Sequence, residues 1–473
     1  MESPSPRDRV ILIGGGIIGL CTAYYLLTLE CPDRHPPNVT LLERTETIAC
    51  GASSRAAGLV MREWHDGRVL PLSRSSWKCW EEMNRKMDDG KGWNWRNIGA
   101  WGMDVDMDMD EDQDEDQDED QDEDSNNKDG KEKGGRSQYR LLPETRERVE
   151  EAEEMRGRAY KLGKQDCIAA VDPALFCQTL LSKCQSLGLD YHASTQAASL
   201  DTANKTITLA DKETLGYSTL VLSSGPWTAH LARALNLPGV AISNLPGHSV
   251  IIRPSRSLSD GVVRHCMFVG VDAGVEGFKV ARSATGDEDD EDDDTAGWTD
   301  SIELVCRPDG TVYVAGENSA PRSSRPPPPS SSSSSRPPSS RPPSSRPPSS
   351  SHASSSGGLP NHLPLTPEDV LSLTDKKLVK RLLCSAAATS RLLDVSRGAT
   401  LVKSQLCYRP VTPDGRPLLG PIGEGVNDVF VAAGHGPWGI TLGPGSGRLM
   451  AELVLGLKPS IDPKAFDPSR FRF

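Results

Sequence analysis

The sequence predicts an α/β protein in which a discontinuous unit of parallel strands and helices encloses a mixed, largely antiparallel sheet. Three observations carry that reading. A strand, a glycine-rich turn, a helix and a second strand follow one another between Arg9 and Glu43, and two later apolar strands, Thr219–Ser223 and Val429–Ala433, also run into glycine turns. Between these lie Gly247–Arg253, Gly261–Gly270, Ile302–Arg307 and Val312–Ala315, which read as strands of a separate sheet. Three low-complexity stretches interrupt the whole.

In chain order, Arg9–Ile13 is a short apolar strand, Ile17–Glu30 has helical spacing and Val39–Glu43 completes a βαβ unit. The turn Gly14-Gly15-Gly16-Ile17-Ile18-Gly19 gives each spaced glycine a task. Gly14 turns the chain, Gly16 lets the backbone approach a pyrophosphate, and Gly19 permits close helix–strand packing. The helix opening here points free N–H groups at phosphates, worth roughly 0.3–1 kcal/mol per nearby charge. Glu43 ends the second strand, 24 residues after Gly19, where a carboxylate accepts ribose hydroxyls. An acid there disfavours a 2′-phosphate and leaves FAD or NAD open. Asp172–Leu187 reads as a helix opened by Asp-Pro.

The resulting boundaries are 8–90, 160–240 and 405–458 for the dinucleotide unit, and 91–103, 241–285 and 296–319 for a substrate domain with a helical part at 359–404. Residues 104–136, 286–295 and 320–358 are expected to be disordered insertions, acidic in the first two cases and Pro/Ser-rich in the third. Asp104–Asp124 holds 15 acidic residues and Asp287–Asp294 another 8, which together exceed the formal net charge of -13. The acidity thus belongs to the insertions, and with no basic stripe the sequence gives no reason to expect nucleic acid. Absence of a long apolar run argues against a membrane span, and a polar N-terminus against secretion. Eleven scattered cysteines, without CxxC pairs or His/Cys clusters, fit reduced thiols in the cytoplasm and no metal site.

Four elements in order support a resemblance. Cys50-Gly51-Ala52-Ser53-Ser54-Arg55-Ala56-Ala57-Gly58 is similar to the small-residue turn that follows the acidic strand end in D-amino-acid-oxidase-like flavoproteins, the family of glycine oxidase and of sarcosine oxidases and dehydrogenases. Ser223-Ser224-Gly225-Pro226-Trp227 resembles its A-x-G-x-W turn, and Tyr408–Gly420 its R-P-x-T-P-D-G-x-P-x-x-G element. Gly434-His435-Gly436-Pro437-Trp438-Gly439-Ile440-Thr441 follows at the family's distance. Trp64–Gly67 and Arg307–Tyr313 resemble a fungal branch of FAD-dependent oxidoreductases.

The resemblance implies a Rossmann-like FAD-binding domain of GR2 type. It implies cofactor contacts from Gly14, Gly16, Ile17, Ile18, Gly19, Glu43, Arg44, Ser53, Ser54, Arg55, Ala57, Gly58, Ser224, Gly225, Trp227, Cys407, Gly434, Gly436, Trp438, Gly439, Ile440 and Thr441. It further implies hydride transfer from a C–N bond of an amino acid or secondary amine to flavin N5. Arg409 occupies the position that clamps a substrate carboxylate, its other reading being a surface arginine or a partner for Asp414. His435 is either a backbone position beside the flavin ring or a base. FAD is expected to be non-covalent, with a covalent link at Cys407 as the alternative; His65 and Asp66 either cover the flavin or form a turn. Some relatives in the fungal branch act in endosomal sorting, so the competing reading is a flavin-fold protein that engages partners through its Pro/Ser-rich insertion, cytoplasmic and endosome-associated. A third reading is an NAD-dependent dehydrogenase.

Overall fold

The computed structural model describes residues 9–31, 36–65, 67–104, 155, 158–162, 165–270, 301–316, 363, 369–423, 425–426 and 428–471. The three expected insertions lie outside these residues, save Asp104, and so does Asp66.

β1 (Arg9–Ile13) is followed by α1 (Ile17–Thr28) and β2 (Asn38–Leu42), the crossover expected from the sequence. Next come β3 (Leu59–Met61), α2 (Leu70–Lys86), β4 (Arg96–Asn97), β5 (Gly99–Asp104), β6 (Arg158–Lys161) and β7 (Ile168–Ala170). α3 (Pro173–Ser186) starts where Asp-Pro predicts, because the Asp172 carboxylate accepts the Ala174 and Leu175 N–H groups. It leads to β8 (Asp190–His192), the meander β9 (Ala197–Asp201), β10 (Thr206–Leu209) and β11 (Thr214–Gly216), then β12 (Thr219–Leu222) and α4 (Thr228–Ala234). The second half contains β13 (Ser243–Arg253), β14 (His265–Gly270), β15 (Ser301–Cys306), β16 (Val312–Ala315), α5 (Lys376–Thr389), β17 (Thr400–Val411), β18 (Leu418–Pro421), β19 (Val429–Ala433) and α6 (Gly439–Leu455).

Six strands form one sheet in the order β18-β19-β12-β1-β2-β8. All neighbours are parallel except β18 against β19. Alternation along β1 sends Val10 and Leu12 toward α1, α2, α3 and α6, and Ile11 and Ile13 toward the β9–β11 meander and α4. The sheet is therefore buried on both sides, which is why its strands read as unbroken apolar runs.

Seven strands form the second sheet, β17-β13-β16-β15-β14-β5-β6, antiparallel except for the pairing of β14 with β5. One face, including Val250, Ile252, Met267, Leu304 and Val314, packs on Leu382 and Ala386 of α5. On the opposite face Ile251, Cys266, Val305 and Tyr313 pack against Met61 of β3 and Ile168 and Ala170 of β7, strands of a small sheet ordered β3-β7-β4. β14 is shorter than the sequence suggests: Asp260–Val263 closes a helical turn that buries Val262 in the core below the sheet.

Helix α6 is the least expected element, since Gly443, Pro444, Gly445 and Gly447 all lie within it. These residues are small where neighbours are close. A Cβ on Gly445 would stand 2.7 Å from the Ser76 Cβ, and one on Gly447 would strike Cys21 of α1. Pro444 breaks the helical ladder. Ser76 of α2 repairs it, its Oγ donating to the Thr441 carbonyl at 2.6 Å and accepting the Gly445 N–H at 3.0 Å.

Candidate functional site

A cavity of ≈ 810 Å³ lies between the β1–α1 turn and the face of the seven-stranded sheet opposite α5. Its phosphate-type end is built from backbone. Gly14 has φ +116, and a Cβ there would lie 2.6 Å from the Ser223 carbonyl oxygen at the end of β12. The Ser223 and Ser224 hydroxyls donate to the Ile13 carbonyl at 3.1 and 2.9 Å, tying β12 to this turn. Gly16 is the N-cap of α1 and has no side-chain cap. Ser53 Oγ accepts the Ile17 N–H at 3.1 Å, so the small-residue turn touches the helix entrance. Gly16, Ile17 and Ile18 at this helix start line the cavity, where a bound anion would meet the helix N-terminus.

Glu43 lies just past β2 with its carboxylate fixed on both oxygens. Oε2 accepts the Gly15 N–H at 2.7 Å, and Oε1 accepts the Thr45 N–H and hydroxyl at 3.0 and 2.9 Å. Oε2, accepting a single bond, keeps a lone pair for a hydroxyl ligand. The glycine cradle, where side chains would fill the space, together with this carboxylate, fits a dinucleotide.

Of the residues expected to hold a cofactor, Gly14, Gly16, Ile17, Ile18, Glu43, Arg44, Ser53, Arg55, Ala57, Gly58, Ser224, Gly225, Trp227, Cys407, Gly436, Trp438, Gly439 and Ile440 line the cavity. Four others stand behind it. A Cβ on Gly19 would overlap the Gly14 carbonyl, and one on Gly434 (φ +83) would meet Thr412 at 2.7 Å. The Ser54 N–H closes a turn on Ala49, and Thr441 Oγ1 donates to Leu59 at 3.1 Å while accepting the Met61 N–H at 3.2 Å. These four shape the wall, because their polar groups or their smallness are used in packing. Arg55 is also committed internally: its guanidinium donates to the Leu406 carbonyl at 3.0 Å, and its own carbonyl accepts from Gln405 and Tyr313.

Of the two readings of His435, the ring geometry favours the backbone one. Its ring is 3% exposed and turned into α6, where Nε2 lies 2.9 Å from Ser446 Oγ. Burial pushes its pKa down to about 3. A neutral ring spent on Ser446 does not serve as the base, so what His435 offers the cavity is its backbone between Gly434 and Gly436. The His65 ring packs edge-on against Trp438, with ring centres 4.5 Å apart.

Opposite the cradle, the sheet face presents Arg409 and Cys407 of β17, Gly247 of β13, Tyr313 and Ala315 of β16, Glu303 of β15 and Phe268 of β14. Arg409 lies across Gly247, so that a Cβ there would overlap the guanidinium. Asp414, considered as its partner, instead binds Arg416 at 2.6 Å and Arg470 at 2.9 Å, which hold its carboxyl down at about 2. Burial raises the Cys407 thiol, against the pull of Arg409 and Arg55. It likewise keeps the Tyr313 phenol neutral. Glu303 is the residue that sequence reasoning missed. Burial raises its carboxyl to about 7 despite attraction from Arg409. Its one sequence signal is a lone acid inside the apolar strand Ser301-Ile302-Glu303-Leu304-Val305-Cys306.

The described residues contain no helix long and apolar enough to cross a membrane, and no cluster of three or more His, Cys, Asp or Glu able to hold a metal. The model of the family described as FAD dependent oxidoreductase matches residues 9–453. An oxidoreductase of Schizosaccharomyces pombe is 22% identical over 490 residues, covering 98% of this chain and 98% of its own. Among solved structures, glycine oxidase from Geobacillus kaustophilus superposes with TM-score 0.63 at 17% identity, covering 98% of this chain and 100% of that one. L-α-glycerophosphate oxidase from Mycoplasma pneumoniae, a structure with FAD bound, gives TM-score 0.59 at 13% identity over 97% of each chain.

Proposed function

This chain belongs to the FAD dependent oxidoreductase family, and on that premise we propose that it oxidises a C–N bond of an amino acid or secondary amine. The observation that carries the proposal is Arg409, a guanidinium laid over Gly247 on the wall facing the glycine cradle. Glycine oxidase, similar in fold over the whole chain, is named for an amino acid. Glycerophosphate oxidase shares the fold and is named for a substrate of another kind, so the substrate reading rests on side chains of this chain.

Bound FAD supplies a two-electron acceptor. The β1–α1 turn and Glu43 hold its nucleotide half, and the Ala433–Ile440 backbone with the sheet face borders the reacting half. Arg409 grips a carboxylate through two parallel hydrogen bonds, each roughly 1.5–3 kcal/mol for a charged pair, and so fixes the position of the adjacent carbon. Phe268 and Trp438 supply apolar surface that keeps water from the reacting carbon. FAD is held non-covalently in this reading, since burial disfavours the Cys407 thiolate that a covalent link would need.

The test is spectroscopic. The purified protein shows a flavin band near ~450 nm, released into the supernatant by acid. Anaerobic addition of glycine, N-methylglycine, D-alanine or L-proline bleaches it. A protein with the band that none of these amines bleaches contradicts the substrate reading; one without the band contradicts the cofactor.

A further inference from the structure

The face of the seven-stranded sheet opposite α5 carries two ionisable poles. Arg409 stands on the edge strand β17 and Glu303 on β15, with β13 and β16 between them. Register fixes their common face. Glu303 pairs with Phe268 and Ala315, Ala315 with Ser249, and Ser249 with Gln405, which shares its side of β17 with Cys407 and Arg409. The floor between the poles is made of small residues, Gly247 on β13 and Ala315 on β16, so space is left above it.

Glu303 is half-buried and opens onto the cavity. The ionisable groups facing it are Tyr313 on β16, Cys266 on β14 and Cys407 and Arg409 on β17. Burial raises the first three, which are neutral near pH 7, while α5 packs on the opposite face of the sheet. Arg409 therefore supplies the positive pole of this wall and Glu303 the negative one.

We propose that Glu303 accepts the proton of the substrate ammonium while Arg409 holds the carboxylate, so that the pair selects amino acids over plain carboxylates and plain amines. This rests on the C–N oxidation reading above. In the step, one N–H bond of the ammonium breaks, its electron pair stays on nitrogen, and an O–H bond forms on the Glu303 carboxylate. No electron leaves the substrate, and the C–H bond stays intact. The product is the free amine, whose lone pair assists departure of the neighbouring hydride. With its pKa raised to about 7, Glu303 is ionised above neutrality and is a stronger base than an exposed glutamate.

The experiment uses the FAD-loaded protein and its Glu303→Gln and Glu303→Asp variants. Whichever of glycine, N-methylglycine, D-alanine and L-proline bleaches wild type fastest is the probe, with acetate as the amine-free comparison. Calorimetric titration in phosphate and in Tris reads the protons exchanged on binding, and anaerobic bleaching reads the rate. In wild type, amino-acid binding releases protons to buffer below pH 7, and the bleaching rate falls about tenfold per pH unit there. In Glu303→Gln both effects disappear and amino-acid affinity falls at least tenfold, while acetate affinity holds or rises; Glu303→Asp restores part of the proton exchange. Equal proton exchange and pH profiles in wild type and Glu303→Gln overturn the assignment but leave C–N oxidation standing. If no probe bleaches wild type, the C–N reading itself fails and this assignment falls with it. Retention of flavin and a single cooperative thermal transition show that the variants fold.

Discussion

Gly247→Ala separates the site from the scaffold. Gly247 has no positive φ, so its backbone accepts alanine, and removing a glycine from a strand is worth roughly 0.5–1 kcal/mol in favour of the variant. The three heavy atoms nearest the added Cβ all belong to the Arg409 guanidinium, the far end of a flexible side chain, which yields by leaving the cavity floor. Stability should therefore hold or rise while binding of a carboxylate is lost. Removing the two charged hydrogen bonds, at roughly 1.5–3 kcal/mol each, costs at least about 3 kcal/mol, equivalent to about a hundredfold or more in Kd. Acetate titrated into the FAD-loaded protein, followed by the change in the flavin band, gives Kd, and urea unfolding gives the stability. Arg409→Ala should match the loss, and the double variant should add nothing to either single change. Wild-type acetate affinity in a folded Gly247→Ala protein would refute Arg409 as the carboxylate clamp.

Gly14→Ala forces an alanine to φ +116 and sets its Cβ 2.6 Å from backbone, so a loss of roughly 2–4 kcal/mol and a protein purified without yellow colour are expected, checked by urea unfolding and the FAD content. His435 has its pKa lowered to about 3, so stability is complete above the unfolded value near 6.5 and is lost as pH falls toward 3. Between pH 7 and 5 wild type should lose about 2 kcal/mol more than His435→Gln in urea unfolding. Glu303 has the opposite sign, being raised to about 7, so its contribution is lost as pH rises from 4.5 through 7, and Glu303→Gln should narrow the fall in thermal midpoint over that range. Arg470 donates to Asp414 at 2.9 Å and to the Arg416 carbonyl at 2.7 Å; Arg470→Ala should cost about 1–3 kcal/mol and release the C-terminal turn to proteolysis with the flavin band intact.

The parts legible in sequence are those whose physics is local. Gly14, Gly16 and Gly19 sit within one turn, and Glu43 ends the strand beside it, so spacing alone places them together. The Asp172 cap and β16 are local in the same sense. Helix α6 is hard to read from sequence, because its glycines and Pro444 argue against a helix until Ser76, 369 positions from Gly445 in the chain, closes the broken ladder. His435 suggested chemistry from its glycine neighbours, yet the ring turned inward once α6 offered Ser446. Glu303 gave little because its role depends on four strands being in register.

That register also explains why the site tolerates so polar a wall. Successive residues of β15 point to opposite faces, so Leu304 enters the core beneath α5 while Glu303 and Val305 point away from it. A slip of one residue would drive Glu303 into that core and turn Leu304 toward the cavity. The apolar face thus holds the ionisable face in place: Met267, Leu304 and Val314 cannot leave α5 without exposing the core. The two sides of the cavity consequently differ in what they specify. The cradle is built of main-chain groups and closely spaced glycines, which is why it could be read directly. The opposite wall presents single side chains held apart by strand spacing, and in the proposed reading substitutions at Gly247, Glu303 and Arg409 should change which acid or amine is accepted without changing which nucleotide is bound.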